Sequence, residues 1–140
     1  MWLLALLAGP AIAADQAVLF VGNSYTQFNA PNAINEDYAS LLAEGMPEWE
    51  VRSERYTRGG YTLSQHLSDA EGATDLHTYL TEGGADSWDL VVLQDQSQVP
   101  GFPVEQTEWI ESKDAAVSLA SMITAAGAEP RLFMTWGRRD

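Results

Sequence analysis

The stretch VLFVGNSYT, residues 18–26, decides the fold expected of this chain. It contains nearly all of a continuous apolar run, residues 17–22, which is followed at once by polar residues. A short run that is apolar on both faces is typical of a strand buried inside a parallel sheet. Ser24 therefore follows a predicted strand at its carboxyl end, where open parallel sheets bind their ligands.

Helices and strands alternate along the rest of the chain. Further strands are predicted at residues 50–56, 89–94 and 131–136, the first of them at or near a sheet edge. Helices are predicted from Ile34 to about Leu42, at 63–67 and 76–80, and at 105–126. The inner side of the long helix is predicted to carry Trp109, Ile110, Val117, Ala120 and Ile123, with Gly127 as its cap. Each parallel crossover needs a covering helix, so the order predicts an α/β three-layer sandwich with a parallel sheet.

Composition limits both the size and the partners of the protein. The 140 residues, 46% of them hydrophobic, suffice for one domain. Seven basic residues against twenty acidic ones give a formal charge of -13, which repels nucleic acid and anionic membrane surfaces. There is no cysteine, so thiolate metal sites, disulfides and a cysteine nucleophile are excluded. We predict no cofactor and no metal.

The first residues are typical of an export signal. Residues 1–14 combine an apolar run with the small-residue triplet Ala-Ile-Ala at 11–13, which predicts a signal peptide and a secreted or periplasmic protein. The segment departs from the usual pattern because no Lys or Arg precedes the run. A buried N-terminal helix is the alternative, but Gly9 and Pro10 would break it. A membrane span needs about 20 apolar residues, more than this run contains.

Three segments resemble the sequence blocks of the SGNH (GDSL-like) serine hydrolases. Residues 18–26 resemble the first block, a strand that ends in Gly-Asp-Ser, with Asn23 in place of the Asp. The tetrapeptide GYTL, residues 60–63, resembles the second block, and DLVVLQDQS, residues 89–97, resembles the third. The third block usually contains a Gly-x-Asn-Asp turn, which is absent here. Its glutamine-containing form is similar to one seen in carbohydrate-esterase branches.

The resemblance implies a flavodoxin-like SGNH hydrolase fold and a role for several residues. Ser24 would be the nucleophile. The oxyanion hole would consist of the backbone N–H groups of Ser24 and Gly60 and one side-chain amide, that of Gln94 or, as a reserve, Gln96. Two further residues, Asn23 and Trp136, would lie at the substrate cleft, Asn23 more as a brace for the turn than as a catalytic group.

The general base of such a site is not evident in the sequence. In the family, an Asp stands three positions before the catalytic histidine, whereas Leu63 precedes His66 and Thr74 precedes His77 at that distance. Both histidines are therefore predicted to be structural and to lie on helices, with a lining role for His66 left open. We expect residues 15–140 to be a partial domain, incomplete at the C-terminus, with a fifth strand and the Asp-x-x-His loop encoded beyond Asp140.

Two functions follow from these features. The first is an exported esterase or deacetylase that hydrolyses small acyl esters, such as carbohydrate O-acetyl groups, through an acyl-enzyme on Ser24. Its partner would be a small-molecule or carbohydrate ester. The alternative is a non-catalytic SGNH-like domain that binds glycan or another polar ligand in the same cleft.

Overall fold

The computed structural model describes residues 14–27, 33–81 and 87–134. Trp136 and nearly all of the predicted signal peptide lie outside these residues. In the described ranges, strands and helices follow the predicted order, with a short 3₁₀ turn at Val99–Gly101. The elements are β1 (Gln16–Gly22), α1 (Ile34–Gly45), β2 (Val51–Thr57), α2 (Leu63–Glu71), α3 (Asp75–Thr81), β3 (Leu90–Leu93), α4 (Thr107–Ala125) and β4 (Glu129–Leu132).

The strands form one parallel sheet in the order β2-β1-β3-β4. At the end of β1, Val21 pairs with Tyr56 of β2 and with Leu93 of β3. The chain first moves from β1 to β2 and then crosses to the other side of β1, so the direction of winding reverses between β1 and β3. Such a switch point is where open α/β sheets bind ligands. The parallel sheet and the edge position of β2 are confirmed.

Alternate residues of β1 face two separate helix layers. Leu19 and Val21 belong to a buried cluster with residues of α2, α3 and α4. Phe20 points to the opposite face, where its ring meets Tyr38 of α1 edge-on at 5.6 Å between ring centroids. Both faces of β1 are therefore covered, which explains its continuous apolar run. The three-layer α/β sandwich expected of a flavodoxin-like SGNH fold is confirmed.

The buried face of α4 differs from the predicted one. Ala115, Leu119 and Ile123 are the residues buried in the core, at i, i+4 and i+8. Of the predicted inner side, only Ile123 is buried, whereas Val117 is 61% exposed and Ile110 is 40% exposed. Apolar residues occur almost all round this helix, so their periodicity does not single out one face. The core selects the stripe that includes the small Ala115, and α4 contacts the neighbouring helix α2.

Candidate active site

The turn that follows β1 presents Ser24 to solvent. Ser24 is exposed, whereas its neighbours Asn23 and Thr26 are buried. The turn is closed by backbone bonds from Thr26 N and Gln27 N to the Asn23 carbonyl, at 3.0 and 3.1 Å. Asn23 Oδ1 also accepts a bond of 3.1 Å from Tyr25 N. The hydroxyl of Ser24 therefore projects from a hydrogen-bonded turn at the switch point of the sheet.

Gly22 is needed at the start of this turn for steric reasons. A Cβ atom at position 22 would collide with Thr26 Oγ1 and would lie 2.7 Å from Gln94 Oε1. Contacts this short do not occur in folded proteins, so any side chain would displace the turn. The glycine before Asn-Ser is therefore explained by the close approach of Gln94 and Thr26.

Gln94 lies beneath the turn, not at its surface. Its side chain is 1% exposed. Gln94 Oε1 accepts bonds from Asn23 N at 3.0 Å and from Thr26 Oγ1 at 2.9 Å. Its Nε2 donates to the Asp95 carbonyl. In this arrangement the Gln94 amide supports the Ser24 turn and does not present a donor to the cleft.

Gln96 is better placed to offer an amide group. It is half-buried, and its Oε1 accepts bonds from Gln98 N at 2.7 Å and Val99 N at 3.3 Å. These two bonds fix which end of the amide is the oxygen. Within the described residues, Nε2 of Gln96 has no hydrogen-bond partner. The geometry thus favours the reserve candidate over Gln94 as the side-chain donor.

Asn23 holds the three loops of the site together. It is 1% exposed, so it lies under the cleft and does not form part of its wall. Its Nδ2 donates to the Tyr61 carbonyl at 3.0 Å and to the Asp95 carbonyl at 3.3 Å. An ionised Asp at this position could not donate either bond. The amide of Asn23 is therefore matched to two carbonyl partners.

The second loop carries a glycine in a left-handed conformation. Gly60 is exposed and has a φ of +73°, which favours glycine because other residues pay a steric penalty there. Thr62 and Gln65 then form a capping box that begins α2. In the described part of the chain, neither Gly60 N–H nor Ser24 N–H has a hydrogen-bond partner. Both N–H groups remain available at the same edge of the sheet.

Asp95 lies in the third block at the end of a predicted strand, but the sequence assigns it no role in the site. Its Oδ1 accepts bonds from Leu63 N at 2.9 Å and Gln96 N at 2.7 Å, and its Oδ2 accepts one from Ser112 Oγ. The carboxylate thereby fixes the N-terminus of α2 to the loop after β3 and to α4. A carboxylate one residue past a predicted strand was the available signal, but nothing in the sequence indicated its partners.

Neither histidine of the chain bonds to Ser24. His66 and His77 are the two histidines in the sequence, and they lie on α2 and α3, as predicted. His66 is fully buried with Nε2 3.0 Å from the Gly22 carbonyl, and burial lowers its pKa. His77 Nδ1 lies 2.7 Å from the Ala70 carbonyl. Both rings therefore bond to backbone oxygen instead of to a nucleophile or a carboxylate.

Metal-ligand clusters and membrane-spanning helices are both absent from the described ranges. These ranges contain no cluster of three or more His, Asp or Glu residues that could hold a metal ion. None of their helices has the length and apolar character needed to cross a bilayer. The polar groups described above are thus the chemistry that the switch point offers.

The sheet order and the position of the site define an α/β protein with the flavodoxin-like topology expected of SGNH hydrolases. No protein-family model matches the chain, and no curated protein matches it significantly in sequence. Solved structures do match. Two are variants of Axe2 from Geobacillus stearothermophilus, one described as an acetyl-xylooligosaccharide esterase and the other as an acetyl xylan esterase. Each is 16% identical to this chain, and the TM-scores are 0.51 and 0.50, respectively. Another is a family two carbohydrate esterase from Clostridium thermocellum in complex with cellohexaose, with 13% identity and a TM-score of 0.51.

These similarities concern the fold and only part of each neighbour. The Axe2 alignments cover 85% of this chain and 60% of the Axe2 chain. The alignment with the Clostridium esterase covers 91% of this chain and 46% of that one. The chain therefore spans between 46% and 60% of the length of these structures, and at this identity the comparison establishes the architecture alone.

Proposed function

We propose that this chain carries the nucleophile and oxyanion hole of an exported serine esterase or deacetylase that acts on small acyl esters. The observation that carries the proposal is the difference between bonded and unbonded polar groups at the end of β1. Almost every polar group around the turn is bonded, yet the Ser24 hydroxyl is exposed and two backbone N–H groups, of Ser24 and Gly60, lack partners in the described structure. A nucleophile beside preset donors is what acyl transfer requires.

The proposed reaction uses these groups in order. A general base takes the proton from Ser24 Oγ, and the oxygen forms a bond to the ester carbonyl carbon. The negative charge that develops on the carbonyl oxygen is stabilised by the N–H groups of Ser24 and Gly60 and by the Gln96 amide. The bond to the alcohol oxygen breaks, and the alcohol leaves with the proton. Water then hydrolyses the acyl-enzyme and restores Ser24.

The general base of this reaction is proposed to come from an Asp-x-x-His loop outside the residues described. The rings of His66 and His77 each bond to a backbone carbonyl and neither bonds to Ser24, and the remaining Nδ1 of His66 is buried, so neither histidine is placed to take the Ser24 proton. Without a base, a serine hydroxyl is a weak nucleophile. The full-length protein, not this chain alone, is therefore the proposed enzyme.

We propose carbohydrate O-acetyl groups as the substrate class. The structural neighbours include acetyl xylan esterases, and the formal charge of -13 disfavours anionic polymers as partners. A neutral, acetylated glycan agrees with both observations.

Removal of residues 1–14 by a signal peptidase belongs to the same proposal, and the intact mass of secreted material would reveal it. An unprocessed Met1 in that material would contradict export.

Covalent labelling with a fluorophosphonate tests the nucleophile. Only an activated serine reacts quickly, forming an oxygen–phosphorus bond as fluoride leaves. We expect full-length protein to gain one phosphonyl mass and Ser24→Ala to gain none. Ser97→Ala, in the loop after β3 at the same edge of the sheet, is the matched control and should label like the parent. Equal labelling of Ser24→Ala and the parent would contradict the assignment.

The bonding of both histidines to backbone carbonyls also supports a second candidate, a non-catalytic domain that binds glycan in the same cleft. This function predicts no labelling of Ser24 in the full-length protein. It also predicts saturable binding of an acetylated xylooligosaccharide that Ser24→Ala retains. Calorimetric titration of the two proteins with that ligand separates the candidates, because an esterase would release acetate during the titration.

A further inference from the structure

The peptide unit between Gly22 and Asn23 is held at both ends. Its carbonyl oxygen accepts bonds from His66 Nε2 at 3.0 Å and from Arg58 N at 3.1 Å. Its N–H donates to Gln94 Oε1 at 3.0 Å. The next peptide unit carries the Ser24 N–H, and its Asn23 carbonyl is bonded to Thr26 N and Gln27 N. The Gly22–Asn23 unit is therefore the fixed base from which the turn with Ser24 begins.

His66 lies beneath this peptide and beside the second loop. The side chain is fully buried on α2. Its ring lies 5.1 Å from the Tyr61 ring and 5.9 Å from the Tyr56 ring, measured between centroids. The Tyr61 carbonyl in turn accepts the bond from Asn23 Nδ2. One imidazole thus contacts both loops that supply the proposed oxyanion donors.

The bonding of the ring fixes its tautomer. A carbonyl oxygen can only accept, so Nε2 of His66 must carry the hydrogen. Nδ1 is then an unprotonated nitrogen, and it is buried with no partner among the described residues. Burial lowers the pKa of His66, which keeps the ring neutral. A buried nitrogen without a partner costs stability, and a leucine would avoid that cost. The bond to Gly22 is what histidine supplies here and leucine would not.

We propose that His66 is a positioning residue for Ser24, acting through the Gly22 carbonyl to orient the turn that carries the nucleophile and its N–H. His66 touches neither the nucleophile nor the acyl group, so it takes no part in proton transfer. The inference rests on the proposed function, since it assigns His66 a role only if Ser24 is the reacting group. Misplacing a reacting group by about 1 Å can cost on the order of 100-fold in rate.

Two substitutions of His66 separate the effect of its hydrogen-bond donor from the effect of the space that its ring fills. His66→Leu fills similar space without a donor, whereas His66→Gln places an amide N–H near the position of Nε2. Ile123→Val, at a fully buried position on α4 in the same core, controls for a modest loss of stability. In the full-length protein, we expect His66→Leu to lower kcat on an aryl acetate about 10- to 100-fold with KM within about twofold. His66→Gln and Ile123→Val should stay within about threefold of the parent.

Amide hydrogen exchange of residues 23–27 gives a readout that does not depend on hydrolysis. We expect these amides to lose at least about tenfold in protection in His66→Leu and to regain it in His66→Gln, while Ile123→Val leaves them unchanged. Should His66→Leu fail to fold, His66→Asn replaces it, because the shorter amide cannot reach the Gly22 carbonyl.

The kinetic and hydrogen-exchange measurements distinguish failure of the proposed function from failure of the positioning role of His66. A parent that neither hydrolyses esters nor labels at Ser24 overturns the proposed function, and the exchange data then decide alone whether His66 holds the turn. An active parent with unchanged kcat in His66→Leu overturns the positioning role. Equal loss of kcat in His66→Leu and His66→Gln also overturns it, because packing and not the donor would then be responsible.

Discussion

Gly59 and Gly60 are adjacent and both exposed, yet only Gly60 has a positive φ, of +73°. A Cβ atom at either position would have no heavy atom within 4 Å. Gly60→Ala is therefore strained only through its backbone, at a cost of about 1–2 kcal/mol. Its Cβ would also crowd the N–H that we assign to the oxyanion hole.

We expect Gly60→Ala to lower turnover of an aryl acetate by the full-length protein about 100-fold or more, as for a lost oxyanion donor. Gly59→Ala is the matched control and should retain parental turnover. Turnover by Gly60→Ala within about threefold of the parent would refute the role of the Gly60 N–H. Unfolding in urea, measured on both variants, separates this effect from a loss of stability.

The two glutamines after β3 should differ when each is replaced by leucine. Gln96→Leu removes an amide whose Nε2 has no partner in the described structure, so we expect a loss of about 100- to 1000-fold in kcat. It also removes the acceptor of Gln98 N and Val99 N, but Gln98 is exposed and Val99 N keeps its bond to the Gln96 carbonyl, so the loss of stability should be smaller than for Gln94→Leu. Gln94→Leu leaves Asn23 N and Thr26 Oγ1 without their acceptor, so we expect a loss of about 1–3 kcal/mol in the free energy of unfolding. Steady-state kinetics and urea unfolding of both variants test the pair. The reverse pattern would return the oxyanion role to Gln94.

The pKa of His66 gives the stability of the chain a specific dependence on pH. Burial lowers this pKa below its ordinary value of 6.5, while the bond to the Gly22 carbonyl and the charges of Asp69 and Asp95 act in the opposite direction. As pH falls below about 6.5, His66 binds a proton in the unfolded chain but not in the folded chain, so the folded state loses stability. The loss ends once pH falls below the folded pKa.

We therefore expect the free energy of unfolding to fall more for the parent than for His66→Gln between pH 7.5 and 5.5. Urea unfolding at several pH values measures the difference, and the carboxylates cancel because both proteins contain them. Identical pH dependence in the two proteins would mean that His66 titrates normally in the folded state.

At the scale of single elements, the strands were the most predictable part. Residues 17–22 and 90–93 are apolar on both faces because β1 and β3 occupy the middle of the sheet. The face of α4 was not predictable, because its apolar residues surround the helix. The role of Gln94 was not predictable either. Its N–H still donates to the Val21 carbonyl at 2.8 Å, so residue 94 continues the strand pairing and its side chain is held below the turn. Gln96 lies beyond that pairing.

The strand β4 is an edge of the sheet in the described structure, and it leads into apolar residues that solvent reaches. Leu132 is 71% exposed and Met134 is 90% exposed. An edge strand with unpaired backbone groups and apolar side chains is a site for association. We expect the 140-residue chain to self-associate with rising concentration in sedimentation velocity, and Leu132→Lys to reduce this association.

Leu41→Lys is the control for that experiment. Leu41 lies on α1 and is 69% exposed, which matches Leu132 in residue type and exposure but not in position. The same charge is added in both variants, so a general effect of net charge would change them equally. Equal association of the two variants would show that the β4 edge is not the contact.

At the scale of the whole molecule, the described residues hold the proposed nucleophile and oxyanion donors, but they hold no histidine that bonds to Ser24. The sequence contains two histidines. The structure bonds His66 to the Gly22 carbonyl and His77 to the Ala70 carbonyl, and it shows no bond from either ring to Ser24. We infer that the proposed acyl-transfer site takes its general base from a residue other than these two histidines.

We therefore expect the 140-residue chain to hydrolyse an aryl acetate no faster than its Ser24→Ala variant. Loss of the histidine from a serine–histidine pair costs on the order of a millionfold in kcat in subtilisin. Hydrolysis is measured on both proteins side by side, together with a longer product that includes an Asp-x-x-His loop, whose activity should depend on Ser24. Ser24-dependent hydrolysis by the 140-residue chain would contradict this expectation. It would require His66 or His77 to leave its backbone carbonyl and reach the nucleophile, and substitution of each histidine in turn would identify which one does.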